Sequence, residues 1–248
     1  MKKVRKLNTI NIYADAVYKT RFINEFNLVT PGAEHLTLVS YNFNVANYNS
    51  SLFQQFNIHF PEAIKSSVLK RQAEYLAGRY AARIALHNLG IKVNNIPTGK
   101  HRSPVWPVVI SASITHTDTK AICAASYKDN HEYLGIDLEK RINSKCVVDI
   151  KNSIINLQEE DLLLKSNLSF EDAFSLTFSA KESLFKALYP SVGRYFDFFA
   201  VQITGICCRT NSFIVILLED LTPQLKAGIK FTGYFSFDKT YVFTMIAQ

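Results

Sequence analysis

An α+β fold is what the sequence predicts, and three observations carry the prediction. Two stretches have the length and the punctuation of helices. Most other apolar segments are short and alternate in the manner of strands. Helices and hairpins mix without the regular βαβ alternation of a doubly wound parallel sheet. The 248 residues suit one large domain or two small ones, with room for a sizeable core.

Taken in order, residues 1–60 are rich in Asn and aromatics and carry weak signals. "LTLVSYNF" (Leu36–Phe43) reads as a strand there. Ile64–Leu89 reads as one helix, with Pro61 before it and Gly90 at the C-terminal cap. "IPTGKHRSPVWP" (Ile96–Pro107) is a proline-rich loop. Val108–Ile114 and Ala121–Tyr127 read as strands joined by "THTDTK", and Leu134–Glu139 as another. Ser169–Tyr189 reads as a long helix. Ser169 and Asp172 have near capping-box spacing, and Pro190 marks its end. Four strands follow, Phe198–Ile206, Phe213–Leu218, Ile229–Phe237 and Tyr241–Ile246, with "FDKT" (237–240) as a hairpin turn. No repeat or low-complexity tract is visible.

Composition narrows the class. Apolar residues make up 48% and charged residues 20%, as in soluble globular proteins. The longest purely apolar run, Phe213–Leu218, is too short to span a membrane. "MKKVRKLNTINIYADAV" starts basic but lacks an apolar stretch, so no secretory signal is expected. Cys123, Cys146, Cys207 and Cys208 lack metal-finger spacing and suit reduced core thiols, which points to the cytoplasm. The net charge of +7 favours an anionic partner: nucleic acid, a phosphorylated small molecule or an acidic protein.

"YLGIDLEK" (Tyr133–Lys140) poses the first chemical question. On a strand, Leu134, Ile136 and Leu138 share one face, and Tyr133, Gly135, Asp137 and Glu139 the other. Two carboxylates so placed repel each other and call for a cation. The long helix adds a third. Phe170, Phe174, Phe178, Phe185 and Leu188 form an apolar stripe, with Lys181 within it and Glu182 beside it. A charge there is costly unless paired or metal-bound. Glu182 and Lys186 also have i, i+4 spacing, as in an ordinary surface pair. Three carboxylates without a Cys/His cluster favour Mg²⁺ or Mn²⁺ over Zn²⁺, and a phosphate-bearing substrate with it.

Basic residues occur upstream. Arg71, Tyr75 and Arg79 line one side of the first helix, flanked by Lys70 and Arg83. Lys100, His101 and Arg102 follow in the proline-rich loop, then Ser113 and His116. Each alone reads better as solvated surface; together they suit phosphate recognition.

Four blocks in this order resemble the 4′-phosphopantetheinyl transferases, closest to the enterobactin synthase component D type within the Sfp-like group. They are "KRQAEYLAGRYAARIAL" (Lys70–Leu86), "GKHRSPVWP" (Gly99–Pro107), "SITH" (Ser113–His116), and "GIDLE" paired with "FSAKESLFKA". The resemblance covers about residues 65–190. Ala112 departs from it, standing where the family often has Gly.

The resemblance implies two similar α+β halves related by a pseudo-twofold, with coenzyme A in the cleft between them. The halves are expected at 1–135 and 136–248. The "YLGIDLEK" strand at their junction is counted with the first and the "FSAKES" helix with the second, so that a metal would bridge them. It further implies Mg²⁺-dependent transfer of 4′-phosphopantetheine from coenzyme A to a serine of an apo carrier protein, releasing adenosine 3′,5′-bisphosphate. The carrier would serve siderophore, other non-ribosomal peptide, or polyketide synthesis. Asp137, Glu139 and Glu182 would be the metal ligands, and Glu182 the base, directly or through water. Lys186 and Lys181 would contact phosphate, and Arg71, Arg79, Arg102, Ser113 and His116 would hold coenzyme A. A monomer without membrane span or nucleic-acid partner is expected. The competing readings are a nucleic-acid-binding protein using the basic helix, an inactive scaffold of the same fold, and a short trimeric holo-carrier synthase, which the chain length disfavours.

Overall fold

The computed structural model describes residues 20–29, 36–93 and 95–248. The reading of residues 1–17 as lacking a secretory signal lies outside the described residues. The chain divides into two compact units, Met1–Tyr127 and Lys128–Gln248.

The first unit contains β1 (Ile23–Val29), β2 (Leu36–Phe43), α1 (Ser51–Gln55), α2 (Glu62–Lys65), α3 (Leu69–Asn88), β3 (Ile110–His116) and β4 (Lys120–Tyr127). Its antiparallel sheet has the order β1-β2-β4-β3. Helix α3 lies on this sheet because Ala73, Ala77, Ala81 and Ala85 keep that flank narrow. A Cβ added at Gly78 would stand 3.0 Å from Ile114 of β3. Leu76 and Tyr80 fill the core between them, with Val39 and Tyr41 from β2.

One expected helix is two. Between α2 and α3, Val68 is extended (φ −62°, ψ 151°). The Ser66 and Ser67 hydroxyls bond back to carbonyls of α2, a local competition that ends helices. The Gln72 amide then donates to Lys65 O and Ser67 O and holds the break. Gly90, at φ +80°, follows the last turn of α3 as expected. The strand expected from Val108 begins at Ile110, with Val108 and Val109 exposed before it.

The second unit contains β5 (Leu134–Lys140), α4 (Ser144–Ile154), α5 (Leu157–Leu164), α6 (Phe170–Val192), β6 (Val201–Cys207), β7 (Ser212–Leu217), β8 (Lys230–Phe237) and β9 (Tyr241–Ala247). Its antiparallel sheet has the order β5-β9-β8-β7-β6. The hairpin turn expected at 237–240 is present, closed by Asp238 N–H on Tyr241 O. The domain boundary expected at 135/136 would cut β5, and the division lies before that strand instead. β5 pairs along its whole length with β9, which places it with the second unit rather than the first.

Ser169 caps α6 by accepting from Asp172 N–H at 3.2 Å. The helix passes through Pro190, its expected end. A proline in the last turn forfeits one hydrogen bond, and Gly193 (φ +68°) closes the helix by donating to Tyr189 O. The expected five-residue stripe is only part of its buried surface. Phe174 and Leu188 are buried, whereas Phe170, Phe178 and Phe185 are half-buried. Leu176, Ala180, Leu184 and Leu188 meet the core of the sheet, and Ala173 and Phe174 meet Val147, Ile154 and Leu163 of α4 and α5. Of the four cysteines, Cys123 alone is buried and Cys146 is exposed, so they are not all core thiols.

Candidate active site

The polar face of β5 does not meet solvent; it meets α6. A Cβ built on Gly135 would stand 1.9 Å from Ser183 O and 2.6 Å from Ala187 N, so only glycine permits this approach. One pleat along, Asp137 is 2% exposed and lies under the same helix. Its Oδ2 accepts from Ser179 Oγ at 2.8 Å, and its Oδ1 accepts from Lys186 Nζ at 2.6 Å. Thr244 is the cross-strand neighbour of Asp137 on β9. Its hydroxyl lies 2.9 Å from Ser179 Oγ and within bonding distance of Ser179 O, tying β9 to the same turn of α6.

Glu139 and Glu182 complete the cluster electrostatically. The Glu139 carboxyl is pushed up to about 7, first by burial, then by Asp137 and more weakly by Glu182, against the pull of Lys186. Glu182 is also raised, by burial first and by Asp137, with Lys186 opposing. Three carboxylates thus share the field of one lysine, all on β5 and α6 of the second unit. The bridging of two halves by this trio, expected from sequence, is corrected: β5 and α6 pack within one unit. As placed, no group of three or more His, Cys, Asp or Glu among the described residues stands close enough to hold a metal ion. The donor chemistry still fits a hard cation, since every candidate ligand is a carboxylate oxygen.

Lys181 is a second correction. It is 1% exposed, and its ammonium donates to Glu159 Oε2 (2.8 Å), Ile154 O (2.8 Å) and Phe198 O (2.9 Å). An ammonium has three donors, so none is left for a phosphate. Burial lowers its pKa and Glu159 opposes that. Glu159 itself is fully buried, accepts from Ile203 N–H, and closes the capping box of α5 with Asn156. Lys181 therefore ties α6 to the α4–α5 connection and the start of β6.

The basic residues of the first unit fall into two groups. Arg71 Nη1 lies 3.2 Å from His116 Nε2. Arginine only donates, so Nε2 accepts and the ring proton lies on Nδ1. Glu74 stands 3.7 Å from Arg71 and 3.9 Å from Lys70, its carboxyl raised chiefly by burial. Arg79, 8% exposed, stacks on Tyr75 at 4.8 Å and donates to Thr98 at 3.1 Å. Its Nε is buried without a partner, and burial lowers its pKa. Tyr75 OH also meets Thr98, which fastens the proline-rich loop to α3. That loop closes through a Thr98–Pro104 bridge, with His101 (φ 52°) and exposed Arg102 (φ 64°) in left-handed conformations at its tip. Arg83, by contrast, donates to Phe56 O and Asn57 O and anchors the chain after α1.

Ser113 does not join Arg71 and His116. On β3, His116 shares the α3-facing side with Ile110, Ala112 and Ile114, and Ser113 is buried on the opposite side. Thr98, Glu159, Ser179 and Thr244 were not singled out from the sequence. Only Glu159 had a legible signal, the capping-box pattern "NLQE" before an apolar run.

The comparisons follow the same division. Residues 60–126 match the family described as 4′-phosphopantetheinyl transferase N-terminal domain. Residues 133–237, which hold all three carboxylates, match the 4′-phosphopantetheinyl transferase superfamily. This chain belongs to the 4′-phosphopantetheinyl transferases. Enterobactin synthase component D of Salmonella typhimurium is 33% identical over 161 residues, 63% of this chain and 66% of that protein. The protein of the same description from Escherichia coli strain K12 is 40% identical over 119 residues, 48% of this chain and 55% of that one. The 4′-phosphopantetheinyl transferase Npt of Nocardia iowensis is 32% identical over 142 residues, 57% and 62% of the two chains. The matched stretches span just under two thirds of the Salmonella protein and less of the others. Among the described residues, no helix is long and apolar enough to cross a membrane.

Proposed function

We propose that this protein transfers the 4′-phosphopantetheine group of coenzyme A to a serine of an apo carrier protein. The observation that carries the proposal is the meeting of Asp137, Glu139, Glu182 and Lys186 on β5 and α6, inside the stretch that matches the superfamily. The enterobactin synthase name of several relatives favours a carrier of enterobactin-type siderophore assembly.

Asp137, Glu139 and Glu182 would hold Mg²⁺, which when bound would neutralise the pyrophosphate and the leaving phosphate. Lys186, half-buried on a flexible stem, moves from Asp137 to a phosphate oxygen of coenzyme A. Glu182, its proton affinity raised by burial, accepts the proton of the carrier serine, directly or through water. The serine oxygen then forms the new bond to the β-phosphorus, and the bond to adenosine 3′,5′-bisphosphate breaks. In the first unit, Arg71 and His116, Arg79 with its unused Nε, and Arg102 are assigned to the nucleotide phosphates of coenzyme A. The basic balance of the chain suits an acidic carrier.

Intact mass spectrometry of apo carrier domains incubated with protein, coenzyme A and Mg²⁺ tests the proposal. A carrier heavier by one phosphopantetheine is expected. No change in several peptidyl, aryl and acyl carriers, with folded protein, would refute it.

A further inference from the structure

We infer that the cavity beside Arg79 and Arg83 is a binding site for a phosphate-type oxyanion. The cavity lies within the first unit, opens to solvent and measures about 220 Å³ with its mouth. Its polar lining is Arg79 and Arg83 from α3, His59 from the segment after α1, and Asn95 just before the proline-rich loop; the rest is apolar. His59, Arg83 and Asn95 stand outside the coenzyme A assignments above. The protein leaves the cations there without a counter-charge. Arg79 is 8% exposed, yet its partners Tyr75 and Thr98 are neutral and its Nε has none. Arg83 uses Nη1 alone, on Phe56 O and Asn57 O, so its Nε and Nη2 remain for a ligand. No carboxylate among the described residues lines the cavity.

A guanidinium keeps its charge at any ordinary pH, and a buried charge or donor without a partner is costly. An anion entering the cavity relieves both. Two guanidiniums four residues apart on one helix, an amide and an imidazole offer donors from several directions. The oxygens of a phosphate group, tetrahedral and charged, match that set, and the planar fork of arginine takes them in pairs. The phosphate comes from coenzyme A or as the free ion, and the recognition chemistry is the same for both.

Calorimetric titration of inorganic phosphate into the full chain at low salt, with and without saturating coenzyme A, tests this. Asn95→Asp puts a negative charge into the lining at an exposed position. Arg83→Gln removes the second cation. Lys92→Gln lowers the net charge as much as Asn95→Asp does, from an exposed position outside the lining. Wild type should bind phosphate. Asn95→Asp and Arg83→Gln should weaken it about tenfold or more, as loss of a charged hydrogen bond does, and Lys92→Gln by clearly less. Asn95→Asp keeps the test alive if Arg83→Gln, deprived of its hold on Phe56 O and Asn57 O, folds poorly. Competition by coenzyme A would assign the site to one of its phosphates, and binding that persists beside coenzyme A to the free ion. If wild type takes phosphate only as part of coenzyme A, the same ranking of variants should appear in the coenzyme A affinities. Equal weakening by Asn95→Asp and Lys92→Gln would reveal an unlocalised attraction and overturn the inference. So would a wild type that binds no phosphate together with an Asn95→Asp variant of unchanged coenzyme A affinity. Carrier modification retained in that variant would leave the proposed transfer reaction standing, so the two readings fail separately.

Discussion

Gly135 lies so close beneath Ser183 that a methyl group built on it would stand 1.9 Å from the Ser183 carbonyl oxygen. The contact sets the depth at which β5 meets α6, and with it the reach of Asp137 to Ser179 and Lys186. The obstructing atoms are backbone, so they cannot rotate aside. Gly135→Ala should destabilise the protein by about 1–3 kcal/mol or more, as overpacking does. Transfer activity should fall further than the stability loss explains. Urea unfolding beside a single-turnover assay checks this; a variant of wild-type stability would show that the approach is not needed.

The buried Lys181–Glu159 pair predicts a different pattern. Lys181→Met leaves Glu159 buried without its cation, at a cost of about 3–5 kcal/mol. Coenzyme A affinity, measured on the folded fraction below the melting range, should be unchanged. A large loss of affinity with intact stability would restore Lys181 as a phosphate contact. Glu159→Gln added to Lys181→Met should recover part of the stability, since the amide oxygen can still accept from Ile203 N–H.

This pair also shows how far the sequence could be read. Lys181 was legible as a charge on an apolar helix face that required a partner. The partner was not, because it comes from a helix whose pattern is weak and whose acidic residues look solvated. The carboxylates Asp137, Glu139 and Glu182 were legible through motif and period. Their placement in one unit was not, because strand pairing between β5 and β9 joins segments far apart in the chain. Both long helices were visible. The break at Ser66–Val68 turned on local hydroxyl bonding that periodicity does not register. Ser179 and Thr244 carry no pattern at all, since small polar residues occur in cores and turns alike.

Glu139 gives a pH signature. Its carboxyl titrates near 7 in the folded protein, above the ordinary 4.5. The native state therefore binds a proton that the unfolded state has released, and stability from this group falls as pH rises from about 4.5 to about 7. Unfolding free energies at about pH 5 and about pH 8 should differ more in wild type than in Glu139→Gln when both are measured in EDTA. Identical pH dependence in the two proteins would show that Glu139 titrates normally.

Arg79 is the proposed phosphate contact most open to test. Its guanidinium is positioned by Tyr75 and Thr98, and one donor, Nε, is unused. Arg79→Ala should weaken coenzyme A binding by about 1.5–3 kcal/mol, the range for a lost charged hydrogen bond. Mg²⁺-dependent steps at the carboxylates should be unaffected at saturating coenzyme A. Unchanged coenzyme A affinity in calorimetry would remove Arg79 from the site.

The central claim is that Asp137 is held for a cation acting on coenzyme A, not for the fold. Thermal melts of wild type and Asp137→Asn, each in EDTA and again with Mg²⁺ and coenzyme A, address it most directly. In EDTA the gap should be modest, because asparagine still accepts from Ser179 and the Lys186 side chain, 28% exposed, can turn to water when its pair is lost. With both ligands present, the wild type should rise by mass action and the variant by much less, so that the gap widens. A gap of the same size under both conditions would mean that the carboxylate serves the fold alone, and would contradict the account.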